Sequence, residues 1–215
     1  MNQYEVPDPI LNSPYFEPAE HWRIIEGAPP RKIPGRRSAV YYYRPPVKTM
    51  GESPEGVGTA IELKLVNRIR ERVKEWLPLA LKGEGGVTGV TCELLNYWRR
   101  DGRQHRLFFA QLEAAETIIF LKEARTDFLQ GIPIPPDEPS DEQKAKGLTA
   151  FQRYACKMAT GSGKTTVMGM IIAWSVLNKI NNRSDSRFSD AVIVVCPNVT
   201  IRNRLQELYP ERGEG

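Results

Sequence analysis

The chain has 215 residues, 40% of them apolar and 26% charged, and a formal net charge of +4. That is the balance of a soluble globular protein, with length for one good-sized domain or two small ones. No run of about 18 apolar residues exists, which excludes a predicted membrane-spanning helix, and "MNQYEVPDPI" lacks the basic segment and apolar core of a signal peptide.

Cys92, Cys156 and Cys196 form a sparse, odd set without a CxxC pair. This argues against a disulfide framework and against a zinc site, and leaves three buried thiols in a cytoplasmic protein as the expectation. The charge is unevenly placed. Residues 1–60 hold seven bases and seven acids, and residues 107–215 hold thirteen of each. The excess lies in residues 61–106, with ten bases against six acids. Such a segment attracts phosphate backbones or is a solvated face.

In chain order, residues 1–56 are rich in Pro, Gly, Tyr and Arg, as in "PYFEPAEHWRIIEGAPPRKIPGRRSAVYYYRPP". Prolines exclude long helices here, and the aromatics argue against simple disorder. An extended arm is expected, with "SAVYYYRP" as a short strand. Residues 57–130 read as a helical region. Ile61, Leu65, Ile69, Val73 and Trp76 recur at helical spacing from Gly58 to Leu81, beside a basic stripe of Lys64, Arg68 and Arg72. "KGEGGVTG" ends that helix. Thr91 resembles the N-cap of a short helix, "CELLNYWRR". A third helix is predicted over about 106–125, with Phe108, Leu112, Ala115 and Ile119 on one face. Residues 131–149, including "GIPIPPDEPSDEQKAKG", form an acidic, proline-rich linker.

From residue 150 the pattern changes. "RYACKMA" reads as a strand, "GKTTVMGMIIAWSVLNKI" as a helix, "AVIVVCP" as a buried strand and "TIRNRLQELY" as another helix. Alternating strand and helix predicts an α/β unit with a parallel sheet flanked by helices.

The chemistry sits in "TGSGKTT", Thr160 to Thr166. Gly161 and Gly163 allow a tight turn and close approach to an anion. Ser162, Thr166 and their neighbours contribute backbone N–H groups to one concavity, and the helix that follows adds its positive dipole end. Lys164 is placed for the β- and γ-phosphates of ATP, and the Thr165 hydroxyl for Mg²⁺. The general GxxxxGK[ST] pattern requires glycine where this chain has Met158. That departure is closer to the T-G-x-G-K-T form of superfamily 2 helicases.

With these residues in view, the chain resembles the N-terminal part of the Res subunit of type III-like restriction endonucleases, which are DEAD/DEAH-type superfamily 2 motors. The resemblance is carried by "DPILNSPYFEP", "VTGVTCELLNYW", "HRLFFAQLEAAETIIFL", "RYACKMATGSGKTTVMGMIIAW" and "VIVVCPNVTIRNRL". It implies a partial RecA-like P-loop domain over 150–215, holding motifs I and Ia. It implies that Gln111 is the glutamine of a Q-motif that reads adenine. It implies that Pro197, Asn198, Thr200 and Arg202 form motif Ia and touch DNA. Double-stranded DNA and a modification methyltransferase subunit are the implied partners, and ATP with Mg²⁺ the implied cofactors.

A motor of this kind also needs an acidic pair to hold the metal and orient water. After Thr166 the nearby acids are Asp185 and Asp190, in or beside a polar loop. The expectation is therefore a truncated motor: an ATP-dependent DNA translocase of a restriction enzyme by family, or else a nucleotide- and DNA-binding remnant without hydrolysis. Half a sheet leaves an open edge. Poor stability or aggregation on isolated expression is predicted, and reversible, cooperative unfolding of the purified chain would contradict it.

Overall fold

Prolines do not keep the first residues extended; they shape a hairpin. The computed structural model describes residues 5–25, 27–43, 59–195 and 199–208. It divides the chain into two units, Met1–Glu71 and Arg72–Gly215. In the first, β1 (Glu20–Ile25) pairs antiparallel with β2 (Ala28–Pro34). The turn passes through Gly27 at φ +74°, a left-handed conformation that glycine adopts without strain. Pro29 and Pro30 sit where the register shifts between Arg23 and Ile25, a place where missing N–H donors are tolerated. The segment before β1 folds over the hairpin. Trp22 Nε1 donates to Asp8 O at 2.7 Å, and Asn12 Oδ1 accepts from Ala19 N at 2.9 Å.

The expected strand in "SAVYYYRP" is β3 (Val40–Tyr43), paired antiparallel with β4 (Thr59–Glu62). That pairing takes Ile61 out of the predicted helix. α1 therefore begins later and spans Lys64–Ala80. Asn67 reinforces the junction, accepting from Ala39 N at 2.7 Å and donating to Glu62 Oε1 at 2.8 Å.

The unit boundary falls within α1. In the second unit the end of α1 buries Val73, Trp76 and Ala80; Leu65, which was expected on the same apolar face, is exposed. α2 (Gly89–Arg99), α3 (Phe109–Glu123) and α5 (Lys164–Asn181) complete a helical core, with α5 packed against both α2 and α3. Trp76 meets Phe120 edge-on at 5.4 Å, and Trp174 meets Phe188 at 5.3 Å, the arrangement the aromatic quadrupole favours.

Between α1 and α2 the chain turns under α3. Trp76 Nε1 donates to Gly85 O at 3.1 Å, and Arg125 N donates to the same carbonyl at 3.1 Å. The N-cap of α2 is Thr88, whose hydroxyl accepts from Thr91 N. Thr91 is not the cap; it lies one turn inside, fully buried.

The proline-rich segment before the phosphate loop is ordered locally. It holds α4 (Asp141–Ala145), capped by Ser140, and an antiparallel bridge between Asp137 and Phe151. α6 (Val199–Arg204) continues into a 3₁₀ turn, Leu205–Leu208.

The expected parallel sheet is not found among the described residues, where the sheets are two antiparallel pairs. Residues 153–159 and 191–195 make no strand ladder, and Ile193 is 89% and Val195 87% exposed. A β-branched run supplies propensity, but a strand exists only where neighbours accept its backbone hydrogen bonds. The expectation of buried thiols also fails at Cys156, which is exposed; Cys92 is half-buried and Cys196 lies outside the described residues.

Gly86 tests how tightly this core is closed. Its φ is +98°, and a Cβ there would stand 2.6 Å from Glu123 O and 2.9 Å from Arg125 N. Backbone cannot yield as a side chain can. Gly86→Ala is expected to cost at least about 2 kcal/mol. Gly83→Ala, with similar φ but only Cys92 Sγ at 3.8 Å, is expected to cost about 1 kcal/mol. Denaturant midpoints of the two variants check the ranking.

Candidate functional site

The loop Thr160–Thr166, the candidate phosphate site, is built by two left-handed glycines. Gly161 has φ +79°, and Gly163, at φ +80° and ψ 40°, is the N-cap of α5. No side chain caps this helix. The first backbone bond of α5 runs from Val167 N to Gly163 O at 3.2 Å. The N–H groups of Gly163, Lys164, Thr165 and Thr166 thus find no acceptor among the described residues. An uncapped helix N-terminus with free donors is a site for an anion.

The side chains around it are arranged to match. Lys164 is exposed and folds back on its own loop, donating to Ala159 O at 2.9 Å and Met158 O at 3.4 Å. Those carbonyls are neutral acceptors, so a phosphate oxygen would compete well for the ammonium. Ser162 Oγ donates to Ala159 O at 2.6 Å and tightens the turn. Thr165 is half-buried in the first turn of α5, and its hydroxyl has no protein partner among the described residues. A hydroxyl in that place suits a Mg²⁺ held mainly by phosphates. Thr160 is exposed at the mouth of the loop.

Gln111 lies in this site. It is 6% exposed, and its side-chain amide packs against Gly163. A Cβ on Gly163 would stand 2.0 Å from Gln111 Nε2. Its Oε1 accepts from Phe108 N at 2.7 Å, which closes the first turn of α3. Its Nε2 makes no hydrogen bond among the described residues. Gly163 therefore serves twice: it adopts a positive φ, and it leaves room for Gln111.

Farther along α5, around Trp174 and Asn178, lies a buried polar cluster. Glu123, at the end of α3, is 3% exposed. Its Oε1 accepts from Thr91 Oγ1 at 2.6 Å and from Trp174 Nε1 at 2.6 Å, and its Oε2 from Thr88 N at 2.9 Å. Asn178 Nδ2 donates to Thr91 Oγ1 at 3.0 Å and to Trp174 O at 2.8 Å, and Thr88 Oγ1 donates to Asn178 Oδ1. Burial pushes the Glu123 carboxyl above its ordinary range, against the pull of these donors. A second carboxylate, Glu116, is also raised by burial. Arg99 holds it in a two-pronged bond, Nε to Oε1 at 2.7 Å and Nη2 to Oε2 at 2.8 Å. A signal for both was present. Glu116 and Glu123 are seven residues apart and share a stripe with Leu112, Ala115 and Ile119, a buried face by its apolar members.

A model of the type III restriction enzyme res subunit family matches residues 104–215, more than half of the chain. The chain belongs to the type III restriction enzyme res subunit family. The match takes in Gln111, the phosphate loop and the stretch expected to be motif Ia. No curated protein and no solved structure matches the chain. Of the residues expected to form motif Ia, Pro197 and Asn198 lie outside the described residues, and Thr200 falls in α6, where its side chain is not described. Arg202 is exposed on α6. Among the described residues no helix is long and apolar enough to cross a membrane.

Gly163→Ala is expected to weaken nucleotide binding by more than tenfold, because its methyl meets Gln111. Adding Gln111→Ala should relieve that collision, with a coupling of about 0.5–3 kcal/mol. The left-handed strain of about 1–2 kcal/mol should persist. A double-mutant cycle read by thermal stability and by a fluorescent ATP analogue checks both parts.

Proposed function

We propose that the chain is the ATP-binding part of a DNA translocase subunit of a restriction enzyme, with its nucleotide held by the loop Thr160 to Thr166. One observation carries this reading: four consecutive N–H groups without acceptors among the described residues, at the start of an uncapped helix, beside a lysine whose bonds there are to neutral carbonyls. Family membership supplies the class of reaction.

In this reading, the amides of residues 163–166 bind the β-phosphate region, and Lys164 leaves Met158 O and Ala159 O for the β- and γ-phosphates. Thr165 ligates Mg²⁺, which would neutralise phosphate charge when bound. Ser162 keeps the turn closed. Gln111 fixes the loop through Gly163 and offers Nε2 to a purine acceptor. Its carbonyl already accepts from Phe108 N, so the donor is the half of the amide left for recognition. Pro197, Asn198, Thr200 and Arg202 touch the backbone of double-stranded DNA, and a modification methyltransferase subunit is the partner.

A second reading, binding without hydrolysis, is favoured for these 215 residues by the state of their acids. The Asp185 carboxyl is pulled down to about 2 by Arg187, whose Nη2 donates to it at 2.8 Å. It is engaged in a loop ion pair and is a poor candidate for orienting water.

The test is titration of the chain with a fluorescent ATP analogue and Mg²⁺. Lys164→Ala should weaken binding at least about tenfold, the value of one charge-assisted hydrogen bond. Turnover of ATP that rises with DNA and vanishes in Lys164→Ala would favour the first reading. Binding without turnover would favour the second, and no binding at all would sink both.

A further inference from the structure

The basic excess of residues 61–106 is not used by the nucleotide site. Part of it is neutralised in place: Arg99 is committed to Glu116, and Arg72 pairs with Glu75 at 3.0 Å. Another part gathers at the turn between α2 and α3. The Arg100 guanidinium carbon lies 3.6 Å from the centre of the Tyr97 ring, and that of Arg103 lies 5.6 Å from it. Arg100 Nη1 donates to Tyr97 O at 3.0 Å, and Arg103 Nε to His105 O at 3.2 Å. Neither guanidinium has a carboxylate partner among the described residues.

Arg103 carries the decisive detail. Its Nη1 is buried and has no hydrogen-bond acceptor, the one such side-chain atom among the described residues. A buried charged donor without a partner is costly. Tyr97, by contrast, stays 54% exposed. Two like charges are thus stacked on one exposed ring, which opposes their mutual repulsion, and one is short of an acceptor.

We propose that this turn is a contact for a nucleic-acid backbone, with Arg100 and Arg103 as phosphate ligands and Tyr97 as the platform that holds them. The proposal rests on the DNA-motor reading above, and adds to it a contact outside the motif Ia stretch. A phosphate oxygen is the acceptor that Arg103 lacks, and the planar fork of a guanidinium fits phosphate better than an ammonium does. The Arg103 side chain is tethered by one hydrogen bond and a ring face, so turning its head toward a surface phosphate breaks little. Arg106 is exposed on the same turn, which also carries the exposed Asp101.

The experiment measures binding of a short fluorescein-labelled duplex of mixed sequence, and of one of its strands alone, over a salt series. The variants are Arg103→Ala, Arg100→Ala and Arg125→Ala. The last removes an equal charge from an exposed arginine that pairs with Asp127. Arg103→Ala and Arg100→Ala should each bind about tenfold more weakly at low salt. Each should also flatten the log–log salt slope by about 0.9 on duplex or about 0.7 on single strand for one phosphate lost. The larger loss identifies which form the turn contacts. Arg125→Ala should leave both quantities unchanged. Arg103→Ala should not lower the melting temperature, since it removes an unsatisfied group; a stacking role alone would lower it and spare DNA binding. Wild-type affinity and slope in both turn variants would overturn the proposal and leave the DNA reading standing. Failure of the unmodified chain to bind either probe would overturn both.

Discussion

A buried carboxylate without an arginine or lysine bonded to it must be held by neutral donors, and Glu123 is held by three. They come from the α2 N-terminus, from inside α2 and from the middle of α5. A charge in a low-dielectric interior tolerates little error in the position of its donors, because each lost bond leaves part of the desolvation cost uncovered. The requirement therefore fixes the three helices relative to one another more sharply than apolar packing does. Ala80, Leu95, Ala115, Ile119 and Phe120 fill the space, but such side chains admit small slides. Glu123 does not.

The candidate phosphate loop inherits this rigidity. α5 is anchored through Trp174 and Asn178 and carries the loop at its other end. Gln111 meets that end at Gly163. The helix is thus gripped along its length, and the four free N–H groups are presented from a fixed support. A site prepared in this way need not order itself when an anion arrives, which is where much binding energy is otherwise lost. Among the described residues, Lys164 is held only by its own loop. Its acceptors are neutral carbonyls of that loop, so exchange to a phosphate would replace charge–dipole bonds with bonds between opposite charges.

The helices were legible in the sequence because each carries an apolar face at helical spacing, and α5 was also marked by the glycines before it. Their ends were less so. Thr91 has the composition of a cap, but the cap is Thr88, three residues earlier. α1 was read too long, because Ile61 fits the helical period equally well as a strand residue beside Tyr41. The hairpin of β1 and β2 was read as an arm, since prolines exclude helix without saying whether the chain folds back. The strand expected in "AVIVVCP" rested on its β-branched run, and composition does not supply a neighbour; "RYACKMA" has no such run. Glu116 and Glu123 carry no signal in their residue type, although their register places them on the buried stripe with Leu112, Ala115 and Ile119.

The sequence by itself marked the loop as a candidate phosphate site. Two glycines, a lysine and two threonines at fixed spacing leave few alternatives, because the backbone conformation and the reach of each side chain are local properties. It also determined that Met158 sets this loop apart from the general form. Gln111 entered only through the resemblance, and the tertiary structure alone brings its amide against Gly163, since residues 111 and 163 are joined by packing and by no local rule. It decided too that Glu123 supports the site, and that Arg100 and Arg103 gather on Tyr97 while Arg99 does not. Long-range contacts depend on how helices seat against one another, and that information is spread over the whole core.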